Sequence, residues 1–254
     1  MTRKTKLHDL AQLKQSIWLD YLHRSLIDSG SLAFYVDRGL RGVTSNPSIF
    51  AKAISESEVY DPQLRHLALE GKSAVEIYES LAINDVQRAA DILRPVYDDT
   101  AGDDGYVSLE VNPHLARETE QTIAEVRRLS ERVDRPNVMI KVPATSEGVI
   151  AIRTLIAEGF NINATLMFSL SQYDLVVEAY LSGLEERAAN SFVLGTIASV
   201  ASFFVSRIDV KVDHLLDQLG TQEADSLKGK IGIASAKIAY QRFRQVFQGE
   251  RWAK

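Results

Sequence analysis

Lys141 sits in the stretch VMIKVPATSEG (138–148), among apolar and strand-forming neighbours. Strands disfavour lysine, so an ammonium group inside what reads as a buried strand needs a reason. A lone strand lysine can snorkel to water or pair with a carboxylate. A desolvated amine has its charged form disfavoured and can attack carbonyl carbons to form a Schiff base, whose iminium draws electrons from the adjacent C–C bond. Carbinolamine formation, dehydration and C–C cleavage all move protons, and Asp20 and Glu110 are candidates to carry them. Asn46 and Asn163 supply uncharged hydrogen-bonding groups in similar local settings.

These residues recur near the ends of six short β-like runs, at 16–22, 41–47, 105–113, 137–143, 162–169 and 197–206. Between them the apolar positions recur every three and four residues, predicting helices over 117–133, 147–159 and 172–189. The connection 47–104 is long and reads as several helices, around AKAI, PQLRHLALEG, SAVEIYESL and DVQRAADILRPVYD. Strands joined by helical crossovers predict a mainly parallel sheet covered by helices. No linker, repeat or low-complexity tract divides 1–254, so a single α/β domain is expected.

A doubly wound open sheet and a (β/α) TIM-type barrel both fit this alternation. Alternation in YVSLEV puts Val107, Leu109 and Val111 on one face and Ser108 and Glu110 on the other. A strand covered on both faces leaves Glu110 no solvated side, so it must point into a polar centre, and the same reasoning extends to Asp20 and Lys141. Polar residues also close the other runs: Thr44 with Asn46, Asn163 with Thr165, and Ser202. Barrels gather catalytic groups at the C-terminal ends of several strands. No GxGxxG turn follows the first strand, as a dinucleotide fold would require. The barrel is the favoured architecture, and lysine with two carboxylates in a pocket without metal is the equipment of a class I aldolase.

The net charge of -5 gives no basic excess for nucleic acid. The absence of cysteine excludes disulfides, metal thiolates and a cysteine nucleophile. The opening MTRKTKLHDLAQLKQ lacks an apolar h-region, and no run is long enough to span a membrane, so a cytoplasmic protein is expected. The histidines at 8, 23, 66, 114 and 214 show no metal spacing.

The motifs GVTSNPSIF (42–50), SLEVNP (108–113), MIKVPAT (139–145), NINATLMFSLSQY (161–173) and SVASFFVSRID (199–209) together resemble the transaldolase family, specifically its larger bacterial members. The resemblance implies that Lys141 is the Schiff-base lysine and Asp20 the acid/base aspartate. It implies that Glu110 works with Asn46 and Thr165 to position a catalytic water, and that Asn46 and Asn163 hold the hydroxyls of a dihydroxyacetone unit. Thr44 and Ser202 are implied substrate contacts, Phe204 a pocket wall, and Arg207 a contact at the phosphate end. The implied reaction transfers a three-carbon ketol from sedoheptulose 7-phosphate to glyceraldehyde 3-phosphate, in the non-oxidative pentose phosphate pathway, without metal or cofactor.

Plainer readings stand beside these. Ser202 also fits a small packing residue, and Phe204 a core residue. Arg207 also fits a helix start paired with Asp20 or Asp209. Thr44 and Ser45 also fit turn and cap residues before a helix opened by Pro47.

After Arg207 the pattern is helical to Trp252, whereas the resembling family continues into two more strands. The expectation is an incomplete barrel of about six strands, with exposed edges that invite self-association or a completing chain. A transaldolase-derived binding or assembly module and a simple class I aldolase remain alternative functions.

Overall fold

The computed structural model describes residues 4–253. It contains six strands: β1 (Trp18–Asp20), β2 (Gly42–Thr44), β3 (Tyr106–Glu110), β4 (Val138–Pro143), β5 (Ile162–Met167) and β6 (Ser199–Phe203). They form one sheet in chain order, and each neighbouring pair is parallel. Each strand falls inside its expected run. Among the described residues β6 does not pair with β1, so the sheet curls into a half-barrel and does not close.

The outward side chains of the central strands are apolar and build the main core. Val107, Leu109, Val138, Ile140, Val142, Ile162 and Ala164 pack with residues such as Val86, Leu93, Val126, Ile152 and Leu155 from the covering helices. A fully buried aliphatic side chain of this kind contributes about 1.5–3 kcal/mol. This layer, between sheet and helices, holds the molecule together. The opposite face of the same strands carries Ser108, Glu110, Met139, Lys141, Asn163 and Thr165. The two-residue alternation of a strand therefore separates packing from chemistry.

Three features differ from the sequence reading. The segments SAVEIYESL and DVQRAADILRPVYD form one continuous helix, Ala74–Asp99. No glycine or proline interrupts 82–84, and Leu81, Ala82, Ile83 and Val86 continue one buried stripe. Pro95 lies inside the last turns, where it removes its own bond to the Asp91 carbonyl, yet the helix continues through it to Asp99. The cap of helix Pro47–Ser55 is Asn46, not Thr44 or Ser45: its Oδ1 accepts from Ile49 N at 2.9 Å, and Pro47 takes the first helical position. Asp20 is exposed, because β1 pairs only with β2 and lies at the sheet edge, so burial does not force its direction.

Gly42 shows why β1 lies where it does. It stands in register with Trp18, and the indole packs against the position a Cβ would occupy. Beyond β6 come helices Ser206–Leu219, Gln222–Leu227, Ile231–Phe247 and Glu250–Ala253. Arg242 ties this part to Asp174, and Arg251 ties it to Glu178 and Glu185, all on helix Leu170–Ala189. No helix among the described residues is long and apolar enough to cross a membrane.

Candidate active site

Parallel register sets the site. Glu110 stands opposite Lys141, and Lys141 opposite Asn163, so three strands place their polar residues side by side on the inner face. Lys141 Nζ lies 3.2 Å from Glu110 Oε2, with both side chains about nine-tenths buried (8% and 10% exposed). Nζ also donates to the Ser45 carbonyl at 2.9 Å. Ser45 follows β2, so a side chain on β4 reaches past β3, which the curl of the sheet makes geometrically feasible. Ser45 is itself held by its hydroxyl, which donates to the Ser108 carbonyl at 2.9 Å.

A second buried network crosses the same face. Asn163 Nδ2 donates to Ser108 Oγ at 3.0 Å, and Ser202 Oγ donates to Asn163 Oδ1 at 2.8 Å. These bonds fix the Asn163 amide beside Lys141. Asn163 and Ser202, read as substrate contacts, are thus also partners of one another. Thr165 is buried next to them on β5, beside a slip in the β5–β6 register between Ala164 and Met167. Leu166 in that slip has φ 63°, the left-handed region that a bulky residue avoids. Bulges of this kind re-aim side chains next to sites.

Thr44, Asp20 and Ser108 share a face by register. Thr44 Oγ1 is buried and has no hydrogen-bond partner, whereas Asp20 makes no side-chain hydrogen bond or ion pair among the described residues. Asn46 spends its Oδ1 on the helix cap, leaving its amide nitrogen for other use. Tyr78, on helix Ala74–Asp99, has its phenol pushed up to about 12, first by burial and then by the charge of Glu110.

Phe204 and Arg207 form a separate cluster past the end of β6. The Phe204 ring stacks on Phe168 at 4.7 Å, and the Arg207 guanidinium lies 4.5 Å from the Phe204 centroid on a face of that ring. Phe204 is half-buried rather than part of the main core. Arg207 pairs with neither Asp20 nor Asp209 among the described residues, since the ring holds it instead. Neither residue bonds to Lys141 or Glu110.

Sequence reasoning missed Ser45 and Ser108 as parts of this site, and Phe168 as the partner of Phe204 in the separate cluster. Alternation had put Ser108 on the Glu110 face, a usable signal. The carbonyl of Ser45 carries no side-chain signature. A cavity of about 1110 Å³ lies elsewhere, lined by residues including Tyr97, Tyr106, Tyr180, Phe203 and Phe247 but not by Lys141. Among the described residues no group of three or more His, Cys, Asp or Glu side chains could hold a metal ion.

Comparison with known proteins gives this arrangement a lineage. Residues 17–252 match the transaldolase/fructose-6-phosphate aldolase family. A transaldolase of Thermobifida fusca is 50% identical over 97% of this chain and 67% of its own length. Transaldolase 1 of Streptomyces avermitilis is 52% identical over 93% of this chain and 63% of its own. A transaldolase of Trichodesmium erythraeum is 46% identical over 97% of this chain and 67% of its own. The chain spans about two thirds of the length of these relatives. Its half-barrel, its inner-face lysine and these matches agree: the chain belongs to the transaldolase/fructose-6-phosphate aldolase family.

Proposed function

We propose that this chain carries transaldolase chemistry, moving a dihydroxyacetone unit from sedoheptulose 7-phosphate to glyceraldehyde 3-phosphate through a Schiff base on Lys141. The observation that carries the reading is the buried contact of Lys141 with Glu110 at 3.2 Å, on a face otherwise lined by hydrogen-bonding groups. Glu110 is near enough to take a proton from Nζ, which frees the amine lone pair to attack the ketose carbonyl at C2. The carbinolamine hydroxyl leaves as water on receiving a proton, giving the iminium. Glu110, with Asn46 and Thr165, serves the water-handling steps.

Asp20 then takes the proton of the C4 hydroxyl. The C3–C4 bond breaks, its electron pair enters the iminium to give an enamine, and erythrose 4-phosphate leaves. The enamine attacks the carbonyl of glyceraldehyde 3-phosphate, Asp20 returns its proton to the new hydroxyl, and hydrolysis releases fructose 6-phosphate and the free lysine. Asn46 Nδ2, Asn163 and the unpartnered Thr44 Oγ1 suit the hydroxyls of the held three-carbon unit, with Ser202 keeping Asn163 in place. Arg207, exposed and free of any ion pair among the described residues, suits a phosphate, and Phe204 is its platform. The sugar phosphates imply a cytoplasmic setting. The unpaired edges of β1 and β6 are where a second polypeptide would pair, either another copy or a completing chain.

The test is a coupled assay for erythrose 4-phosphate, run with and without glyceraldehyde 3-phosphate. Acceptor-dependent release supports the transferase. Release that ignores the acceptor indicates a simple aldolase, and no turnover together with no imine on any lysine indicates a binding or assembly module.

A further inference from the structure

Outside the site, one buried charged cluster has no part in the chemistry above. Asp85 is fully buried and Arg24 is 6% exposed. Arg24 Nε donates to Asp85 Oδ1 at 2.8 Å, and Tyr60 Oη donates to Asp85 Oδ2 at 2.8 Å. The backbone N–H of Arg24 donates to Tyr60 Oη at 3.0 Å, and the guanidinium lies over the Tyr60 ring at 4.5 Å. Arg24 Nη2 also reaches Asn84 Oδ1 at 3.5 Å. Both the main chain and the side chain of one residue are therefore gripped, from helix Ala74–Asp99 and from the single turn Glu58–Tyr60.

An apolar cluster of equal volume would hold these elements together at least as well, because burying an ion pair carries a large desolvation penalty. Directional bonds add position, and position is what this segment lacks. β1 has three residues and pairs on one side only. Its last residue, Asp20, stands four positions before Arg24, and its carboxylate has no protein partner among the described residues to orient it.

Resting on the function proposed above, we infer that Arg24, Asp85 and Tyr60 form a clamp that positions Asp20 for proton transfer. They are positioning residues that do not touch the substrate. Leu22, between Asp20 and Arg24, is fully buried in the main core, so the connecting segment has one further anchor.

Tyr60→Phe is the gentlest test, since it keeps the ring against Arg24 and His23 and removes only the hydroxyl. It should slow C–C cleavage by roughly 10–10²-fold, the scale of a misplaced catalytic group. The borohydride-trapped imine on Lys141 should form at an unchanged rate. In an Asp20→Asn background the same change should cause no further loss. Equal losses in both backgrounds, or a matching loss of imine, would mark a structural role and overturn the clamp. Arg24→Lys should repeat the pattern.

Amide hydrogen exchange supplies a readout independent of turnover. Exchange over 20–23 should rise severalfold in Tyr60→Phe while β3–β5 stay protected. Unchanged exchange over 20–23 would overturn the clamp even in an active enzyme. A missing imine in the unsubstituted chain would instead defeat the function reading, and with it the clamp's catalytic consequence.

Discussion

Two carboxylates bear the proposed proton transfers, and their surroundings make them behave differently when replaced. Glu110 is nearly buried against Lys141, so Glu110→Gln leaves a buried ammonium facing a neutral amide. Removing one partner of such a pair costs about 3–5 kcal/mol. Urea unfolding should therefore show a lowered midpoint, and imine formation should slow. Asp20 is exposed and unpaired, so Asp20→Asn should leave the urea midpoint unchanged while slowing C–C cleavage by roughly 10²–10⁴-fold. A destabilised Asp20→Asn protein, or normal turnover in both variants, would contradict these roles. Lys141, Glu110 and Asn163 were legible because a polar residue within a buried strand is a local anomaly. Ser45 was not, because its contribution is a carbonyl oxygen whose placement depends on how far the sheet curls. The solvation of Asp20 depends on β1 being an edge, a property of the assembled sheet and not of WLDYL.

At the scale of elements, Gly42 and Arg251 make opposite ends of the molecule testable. Gly42→Ala would drive a methyl group into the Trp18 indole and push β1 off β2. Overpacking of this kind costs about 1–3 kcal/mol, and thermal unfolding should register it. An unchanged transition would show that β1 is not held through this contact. At the other end, Arg251 holds Glu178 and Glu185 below the usual carboxylate range through direct hydrogen bonds. A depressed carboxylate stabilises the fold fully above its unfolded value, about 4.3, and loses that contribution as pH falls through the lower folded value. Helix Glu250–Ala253 should therefore loosen on acidification below this range, and earlier at high salt, since these pairs are exposed. Hydrogen exchange across 240–253 measures it, and protection that does not change with acid or salt would contradict it. The strands were readable from β-branched runs with polar ends, and the helices from their period. The joining of 74–99 into one helix was not, because the stripe crosses a stretch that sequence reading had divided.

For the whole molecule, six parallel strands with two unpaired edges leave backbone donors and acceptors ready for another strand. Ile233, Ile238, Tyr240 and Phe243 add exposed apolar surface on helix Ile231–Phe247. Sedimentation over a concentration series should reveal association, whereas a monomer at every concentration would show that the C-terminal helices protect the edges well enough. The half-barrel was anticipated because the strand count and the helical tail are both visible in sequence. The aromatic-lined cavity was not, since it forms between segments distant along the chain.

The central claim is that Lys141 forms the Schiff base. The direct measurement is borohydride reduction in the presence of fructose 6-phosphate, followed by peptide mass spectrometry. The account predicts a reduced ketose adduct on the peptide containing Lys141, absent without sugar and absent in Lys141→Arg. An adduct on another lysine, or one that persists in Lys141→Arg, would contradict it.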